Sequence, residues 1–341
     1  MKKQLKITTH NNLNAIKFVC AILVIFHHCY PIAMGKDYVD PVRKITNLQF
    51  SFGNFSVLVF LFVAGLLITK SYTKSKNNKV FLLKRIKRLL PSLIIVIFLT
   101  VFIIGPIFTK LSLKEYFTNL DVYKYLVMNC LLITNHNLPV FLSNAYNLSP
   151  NGSLWTLPVE FLCYIGTIIL GLLHLLNKKF MKYFPYMVII LNCMQFVFIK
   201  RIGVVWPALQ AILFFLMGMS IYFNSKKVIL NPMYFIISIF VTIISIIFNV
   251  YSYVNIITIP YMILFLAFYF KNKISFLNEL GKYSYEIYLL GFLIQQCIAS
   301  LFPVANPYFN FFASLPFILI LAFIVNKLVK LINRKIRVIV K

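Results

Sequence analysis

Long apolar runs, separated by short polar or basic stretches, alternate along nearly the whole sequence. A helix needs about 20 consecutive, mostly apolar residues to cross the ~30 Å hydrocarbon core of a bilayer. Runs of about this length predict ten transmembrane helices, at 13–33, 52–70, 89–109, 154–176, 183–199, 203–223, 233–251, 254–270, 284–302 and 309–328. The pattern predicts an all-α polytopic membrane protein, and we expect one transmembrane domain over residues 1–341 with no separate soluble domain.

The composition argues against a water-soluble protein. Hydrophobic residues make up 61% of the chain and charged residues 12%, whereas soluble domains are about 45–50% apolar and about 25% charged. The 34 Lys and Arg residues outnumber the 7 Asp and Glu residues, which gives a net charge of +27. Because the basic residues form short clusters between apolar runs, we expect no nucleic-acid partner and assign this charge to orientation in the bilayer.

The distribution of Lys and Arg predicts the side of the membrane on which each loop lies. One further apolar stretch, 122–134, is too short to cross, because thirteen helical residues rise only about 20 Å. If this stretch does not cross and the N-terminus is cytoplasmic, 26 of the 34 Lys and Arg residues lie inside. We therefore predict a multi-pass protein of the plasma or inner membrane with both termini cytoplasmic. The outer segment 110–153 is expected to hold a re-entrant or interfacial helix.

The first apolar run carries two ionisable side chains on one predicted helix face. Eleven positions separate Lys17 from His28, which is about three turns or roughly 16 Å, and His27 points about 100° away. Ionisable groups at bilayer depth usually mark function, and imidazole titrates near neutral pH. The spacing favours His28 as a general base, although a histidine pair hydrogen-bonded to loop carbonyls fits the same pattern.

Four cations in five residues precede the third predicted span. They are Lys84, Arg85, Lys87 and Arg88, on the predicted cytoplasmic side. Such a cluster is suited to the phosphates of an anionic cofactor. It is also typical of a segment that orients a span and attracts anionic lipid, and the cluster taken alone favours this second interpretation.

Polar residues also mark the start of the fourth predicted span. Ser153 is a candidate N-cap for a helix that enters from the outer side, and Trp155 suits the membrane interface. Glu160 would lie about 8–10 Å below the outer surface, where a carboxylate needs a partner. We expect that partner to be His28, since a carboxylate commonly orients a catalytic histidine. The alternative is a salt bridge that only fixes helix packing.

Weaker polar signals lie in the ninth predicted span and in two loops. Tyr285 and Gln295 either line a substrate cavity or hold helices together by hydrogen bonds. We interpret His136 and His174 as structural residues. The cysteines show no paired spacing typical of a metal site, so we expect no metal.

Six short motifs occur in a fixed order along the chain. They are the Lys17-to-His28 spacing, the second-span stretch from Gly53 to Gly65, the basic run ending at Pro91, the stretch from Ser153 to Glu160, the stretch from Phe214 to Gly218, and the stretch from Leu280 to Tyr288. Together they resemble membrane acyltransferase family 3, the integral membrane O-acyltransferases of bacteria, over nearly the whole chain. Each motif alone is weak, but the ordered set is specific.

Three positions depart from the family pattern. Lys17 stands where many members have arginine, so the charge is kept but the bidentate guanidinium is lost. Ala64 replaces a usual serine. Gly291 occupies a position where many members carry histidine, which argues against a mechanism that requires two histidines.

The resemblance implies transfer of an acyl group, most simply acetyl, from cytoplasmic acetyl-CoA to a hydroxyl of an extracytoplasmic or lipid-linked cell-envelope glycan. It implies that His28 is catalytic and that Glu160 orients it. The implied CoA-binding residues are Lys17, Lys84, Arg85, Lys87 and Arg88, and the implied substrate-binding residues are Ser153, Trp155, Tyr285 and Gln295.

Two other classes of protein fit the apolar pattern. A glycan or lipid-linked sugar flippase would also keep polar residues in its spans, but the sequence shows no inverted repeat and no matching pair of broken helices. A non-catalytic scaffold would seldom keep ionisable groups at bilayer depth. The sequence leaves open the acceptor glycan, the identity of the acyl group and the oligomeric state.

Overall fold

The computed structural model of the protein is dominated by helices and describes residues 2–35, 37–139, 149–198, 206–270 and 274–339. Seven helical segments within these residues are long and apolar enough to cross a membrane. They are Leu13–Met34, Phe52–Thr73, Asn78–Phe108, Gly152–Leu172, Pro207–Lys227, Tyr251–Phe268 and Pro307–Arg334. The predicted helical, polytopic architecture is confirmed at this level, whereas the count of ten spans, the side of the termini and the re-entrant helix stay predictions.

The helices of the N-terminal part follow a short strand. In order, the elements up to residue 139 are β1 (Lys3–Gln4), α1 (Leu13–Met34), α2 (Pro41–Ile45), α3 (Phe52–Thr73), α4 (Asn78–Leu99), α5 (Gly105–Phe108), α6 (Leu113–Thr118) and α7 (Leu120–Cys130). A π-helical turn at Thr100–Ile104 joins α4 to α5.

The elements of the C-terminal part begin with a 3₁₀ turn at Gly152–Trp155. The following elements are α8 (Thr156–Leu172), α9 (Lys178–Met181), α10 (Phe184–Phe198), α11 (Trp206–Asn224), β2 (Ile229–Leu230), α12 (Pro232–Ile247), α13 (Tyr251–Phe268), α14 (Ser275–Leu280), α15 (Ser284–Leu301) and α16 (Pro307–Ile339).

Side chains just ahead of several helices explain where those helices begin. The Ser51 side chain accepts a hydrogen bond from the Asn54 backbone amide at the start of α3. Asn119 does the same for Asp121 at the start of α7, and Asn231 caps α12 with Pro232 in its first turn. These side chains satisfy backbone amides that have no partner within the helix.

Among the helix bounds that differ from the predicted spans, three differ in a way that affects the sequence interpretation. Helix α4 begins at Asn78, so the basic run lies within a helix and not ahead of one. A turn at Asn249, which has a φ of 57°, separates α12 from α13 several residues earlier than predicted. Asparagine tolerates this backbone region, and one asparagine inside a continuous apolar stretch is a weak signal. Helix α16 continues to Ile339, beyond the predicted end at 328.

Two further comparisons concern short or incompletely described segments. The stretch predicted not to cross, 122–134, is the eleven-residue helix α7 and the turn after it. Residues 199 and 203–205, which belong to the fifth and sixth predicted spans, lie outside the described residues.

The chain folds into two compact units, each assembled from three separate segments. The first unit comprises Met1–Cys20, Pro41–Leu82 and Val159–Lys282. The second unit comprises Ala21–Asp40, Leu83–Pro158 and Tyr283–Lys341. The prediction of a single transmembrane domain stays a prediction.

Two glycines allow close helix packing in the first unit, where α3 packs against α11. A Cβ atom at Gly65 would lie 2.0 Å from the Phe215 carbonyl oxygen, and one at Gly218 would lie 2.1 Å from the Phe62 carbonyl oxygen. Small residues let membrane helices approach closely enough for their backbones to touch. Each of these motif glycines therefore leaves room for the backbone of the facing helix, which explains why both positions hold glycine.

Helix α15 forms the centre of the second unit and packs along α16. The core residues Phe292 and Ala299 lie on it and pack with Ile32 of α1. Gly291 also faces α1, since a Cβ atom there would lie 2.9 Å from Cγ1 of Ile25. Many family members carry histidine at this position. Here the position holds Gly291, where α15 packs closely against α1.

Candidate active site

His28 lies on α1 within the second unit, with its ring against α15. The imidazole and the Phe292 ring meet edge to face, with centroids 5.0 Å apart. The residue is half-buried, while its Nδ1 atom is buried without a hydrogen-bond partner among the described residues. Buried polar atoms are nearly always hydrogen-bonded, so this nitrogen is available to a substrate group or a water molecule.

His27, next to His28 in sequence, forms a contact that the sequence did not reveal. Its Nδ1 atom lies 2.8 Å from Oδ2 of Asp40, and the Asp40 side chain has no exposed surface. The centroids of the two histidine rings are 5.3 Å apart. Asp40 is one of only 7 acidic residues and follows the predicted first span closely. These two facts are what could have marked Asp40 as a candidate site residue from the sequence.

Glu160, the predicted partner of His28, has a hydrogen bond on its own helix. The Tyr164 hydroxyl, one turn later on α8, donates to its Oε1 atom. Glu160 is half-buried and belongs to the first unit, whereas His28 belongs to the second. Orientation of His28 by Glu160 stays a prediction.

The segment before α8 is held by Asn151, which corrects the predicted cap. We predicted Ser153 as the N-cap, but the Asn151 side chain accepts hydrogen bonds from the backbone amide and the hydroxyl of Ser153. Asn151 also donates through Nδ2 to the Leu289 carbonyl at 2.8 Å, which ties this segment to α15. An asparagine can accept and donate at the same time, so it both caps the turn and anchors it.

Helix α15 makes two further contacts with this segment. The Tyr288 hydroxyl donates to the Ser153 carbonyl at 3.0 Å and lies 2.9 Å from the Thr156 hydroxyl. At Gly152, a Cβ atom would lie 2.9 Å from the Phe292 ring. The ring that contacts His28 therefore also packs on the Gly152 backbone. Phe292 therefore contacts both His28 of the first motif and Gly152, the residue just before the fourth motif.

The predicted substrate-binding residues differ in their surroundings. Trp155 is half-buried and Ser153 is buried. Gln295 is fully buried and donates to the Ile25 carbonyl of α1 at 2.8 Å, and the Tyr285 hydroxyl donates to the Leu89 carbonyl of α4 at 3.0 Å. The bonds of Gln295 and Tyr285 hold helices together, and contact with substrate stays a prediction for all four residues.

The predicted CoA-binding cations lie on two helices. Lys17 is half-buried on α1, and the basic run lies in the first half of α4. Within the run, Arg85 is half-buried and Lys84, Lys87 and Arg88 are exposed. Arg85 and Arg88 border the helix face that carries the buried Leu89 and Ser92, whereas the two lysines point away from it.

A buried carboxylate near this face was not among the predicted site residues. Glu286 of α15 is 4% exposed, and it accepts hydrogen bonds from Ser92 of α4 at 2.8 Å and from Asn326 of α16 at 3.3 Å. The charge of Arg88 also acts on it. Glu286 lies within a family-like motif, but its sequence position did not reveal that three helices meet at its side chain.

His136, in the loop before residue 140, also makes a hydrogen bond. Nδ1 of His136 lies 2.9 Å from the hydroxyl of Ser149, and desolvation lowers the pKa of His136. The neutral ring is therefore favoured at neutral pH, in keeping with the structural role predicted for it. Within the described ranges, no group of three or more His, Cys, Asp or Glu side chains is arranged to hold a metal ion.

Comparison with known proteins agrees with the resemblance seen in the motifs. A family model described as an acyltransferase domain matches residues 10–327. An O-acetyl transferase of Shigella phage Sf6 is 27% identical over 303 residues, which are 84% of this chain and 85% of that protein. Nodulation protein 10 of Rhizobium leguminosarum bv. viciae is 27% identical over 160 residues, which are 46% of this chain and 42% of that protein. No solved structure matches significantly.

The family match extends over nearly the whole chain and includes the two histidines of α1, the basic run of α4 and the polar segment before α8. It confirms the resemblance that the ordered motifs indicated. The chain belongs to acyltransferase family 3.

Proposed function

We propose that this membrane O-acyltransferase moves an acetyl group from cytoplasmic acetyl-CoA to a hydroxyl of a cell-envelope glycan. The glycan is either linked to lipid or lies on the outer side of the plasma or inner membrane. The observation that carries the proposal is the state of His28, a half-buried imidazole whose Nδ1 atom has no partner among the described side chains and backbone groups. An acyl transfer to a hydroxyl requires a base of this kind.

The proposed reaction breaks a thioester and forms an oxygen ester. The imidazole of His28 accepts the proton of the acceptor hydroxyl as the hydroxyl oxygen attacks the acetyl carbonyl carbon. The CoA thiolate leaves and takes a proton from the imidazolium, which regenerates the neutral base. A variant of the same chemistry places the acetyl group on His28 first and transfers it to the glycan in a second step.

The other predicted residues complete the proposed site. Glu160 would orient His28 or balance its charge, and Trp155 would stack on a sugar ring of the acceptor. The basic run of Lys84, Arg85, Lys87 and Arg88 would hold the CoA phosphates on the cytoplasmic side, and Lys17 would add to this charge. No metal enters this scheme, because a base and a thioester are sufficient for the transfer.

The direct test is transfer of labelled acetyl from acetyl-CoA to envelope glycan by the purified protein in detergent. We expect CoA-dependent label in the glycan, located by mass spectrometry. If the protein does not bind or consume acetyl-CoA but moves a glycan lipid across a vesicle membrane, it is a transporter and the proposal is wrong.

Substitution of Arg85 by Ala is expected to raise the apparent KM for acetyl-CoA by about tenfold or more. A hydrogen bond to a charged group contributes about 1.5–3 kcal/mol, and Arg85 is the most enclosed cation of the basic run. The measurement is the rate of acetyl transfer at varied acetyl-CoA and fixed glycan.

The matched control is Lys79→Ala, because Lys79 is an exposed cation on the same helix, ahead of the basic run. We expect its KM to stay near the wild-type value. If Arg85→Ala changes only the KM for the glycan, the basic run does not bind CoA.

A further inference from the structure

Two buried acceptor atoms lie together beside the basic run, at the junction of α4, α15 and α16. Oε2 of Glu286 and Oδ1 of Asn326 are both buried and have no hydrogen-bond partner within the described part of the chain. The two side chains are joined through the other carboxylate oxygen, to which Asn326 donates. Leaving one buried acceptor unsatisfied costs about 1–3 kcal/mol, so two at one place indicate a missing donor.

The surroundings leave the second oxygen of Glu286 as a hydrogen-bond acceptor. Ser92 is 1% exposed and donates to the same Oε1 atom at 2.8 Å. Ser92 and Asn326 therefore both bind Oε1, whereas none of the described residues donates to Oε2. The remaining oxygen of Glu286 is therefore suited to a ligand N–H or O–H group.

The rise along α4 from Arg88 to Ser92 fits the length of the pantetheine arm of CoA next to its pyrophosphate. Ser92 follows Arg88 by one turn of α4, which is about 6 Å along the helix axis. In CoA, five bonds of about 1.5 Å separate the pyrophosphate oxygen from the first amide nitrogen of the pantetheine arm, or about 6 Å when extended. The pantetheine hydroxyl lies just before this amide, so both donors of this part of the arm fall at the required distance.

We propose that Glu286 and Asn326 bind the pantetheine arm of the acyl-CoA, by accepting hydrogen bonds from its hydroxyl and its first amide. This inference rests on the proposed function, in which Arg85 and Arg88 hold the phosphates. It adds a second point of recognition one helical turn deeper than the cations. It also assigns a role to a carboxylate that packing alone does not explain.

The test compares the binding of two ligands by isothermal titration calorimetry in detergent. CoA carries the pantetheine arm, whereas 3′,5′-ADP carries the adenosine and two of the three phosphates without it. In Glu286→Gln, the amide can still accept from Ser92, but an N–H group replaces the acceptor oxygen. We expect the affinity for CoA to fall by about tenfold, and the affinity for 3′,5′-ADP to stay within about twofold of wild type.

Three further variants guard against misfolding and unspecific effects. Asn326→Ala removes the second acceptor from a half-buried position, and we expect the same selective loss in smaller degree. Glu279→Gln makes the same chemical change at the exposed Glu279–Lys282 ion pair and should alter neither affinity. Arg88→Ala should weaken both ligands together.

Each contrary outcome has a distinct meaning. Unchanged affinity for CoA in Glu286→Gln would show that water satisfies these atoms, and the inference would be wrong. An equal loss for both ligands would also overturn it, since the defect would then lie in the phosphate site or the fold. Failure of the wild-type protein to bind CoA would overturn the proposed function itself.

Discussion

Substitution of His28 by Ala is expected to lower acetyl transfer by about 10²–10⁴-fold, which is the range that a positioned general base contributes. The loss follows from the place of the ring. His28 is half-buried against Phe292, and its Nδ1 atom is unpaired among the described residues. The measurement is the initial rate of transfer from acetyl-CoA, at equal amounts of folded protein.

The control for His28 is His174→Asn, at an exposed histidine with a φ of 56°. Asparagine tolerates this backbone conformation, so activity should stay at the wild-type level. CoA binding by His28→Ala should also be kept, because the cations of α4 are unchanged. Full activity in His28→Ala would remove this residue from the mechanism.

Substitution of Gly65 or Gly218 by Ala is expected to destabilise the first unit by about 1–3 kcal/mol, the usual range for overpacking. At each position the new Cβ atom would lie about 2 Å from a carbonyl oxygen of the facing helix. These neighbours are backbone atoms and cannot rotate away, so α3 and α11 must move apart. The measurement is thermal unfolding in detergent, together with the yield of monodisperse protein.

Gly166 on α8 supplies the matched control. A Cβ atom added there has nothing within 4 Å, and alanine forms helices better than glycine by up to about 1 kcal/mol. Gly166→Ala should therefore unfold at the wild-type temperature or slightly above it. If all three alanine variants behave alike, the close approach of α3 and α11 does not govern stability.

Features that depend only on residues nearby in the sequence were mostly predicted well. The helical positions of Lys17 and His28 follow from the first apolar run and from helix periodicity, whereas the basic run was wrongly placed ahead of a helix. Helix ends were less accurate, as at Asn249, because one polar residue in an apolar stretch barely changes the pattern. Ser153 was a reasonable cap by residue type, but only the geometry of the turn shows that Asn151 caps it.

Contacts between distant residues were not predictable from these patterns. The bond between Asn151 and Leu289 spans 138 positions, and the bond between Ser92 and Glu286 spans 194. The pairing of His27 with Asp40 is closer in sequence, yet it requires the chain to turn back after α1. Such partners are chosen by the packing of helices.

The sequence by itself determined that this protein is a helical membrane protein with the ordered motifs of an acyltransferase. Hydrophobic periodicity and loop charge are local properties, and the bilayer requires each span to satisfy its own backbone hydrogen bonds. Only the tertiary structure decided that Phe292 contacts both His28 and Gly152, and that Glu286 meets Ser92 and Asn326. Those contacts depend on helix packing, in which a single glycine or a rotation of one helix selects the partner.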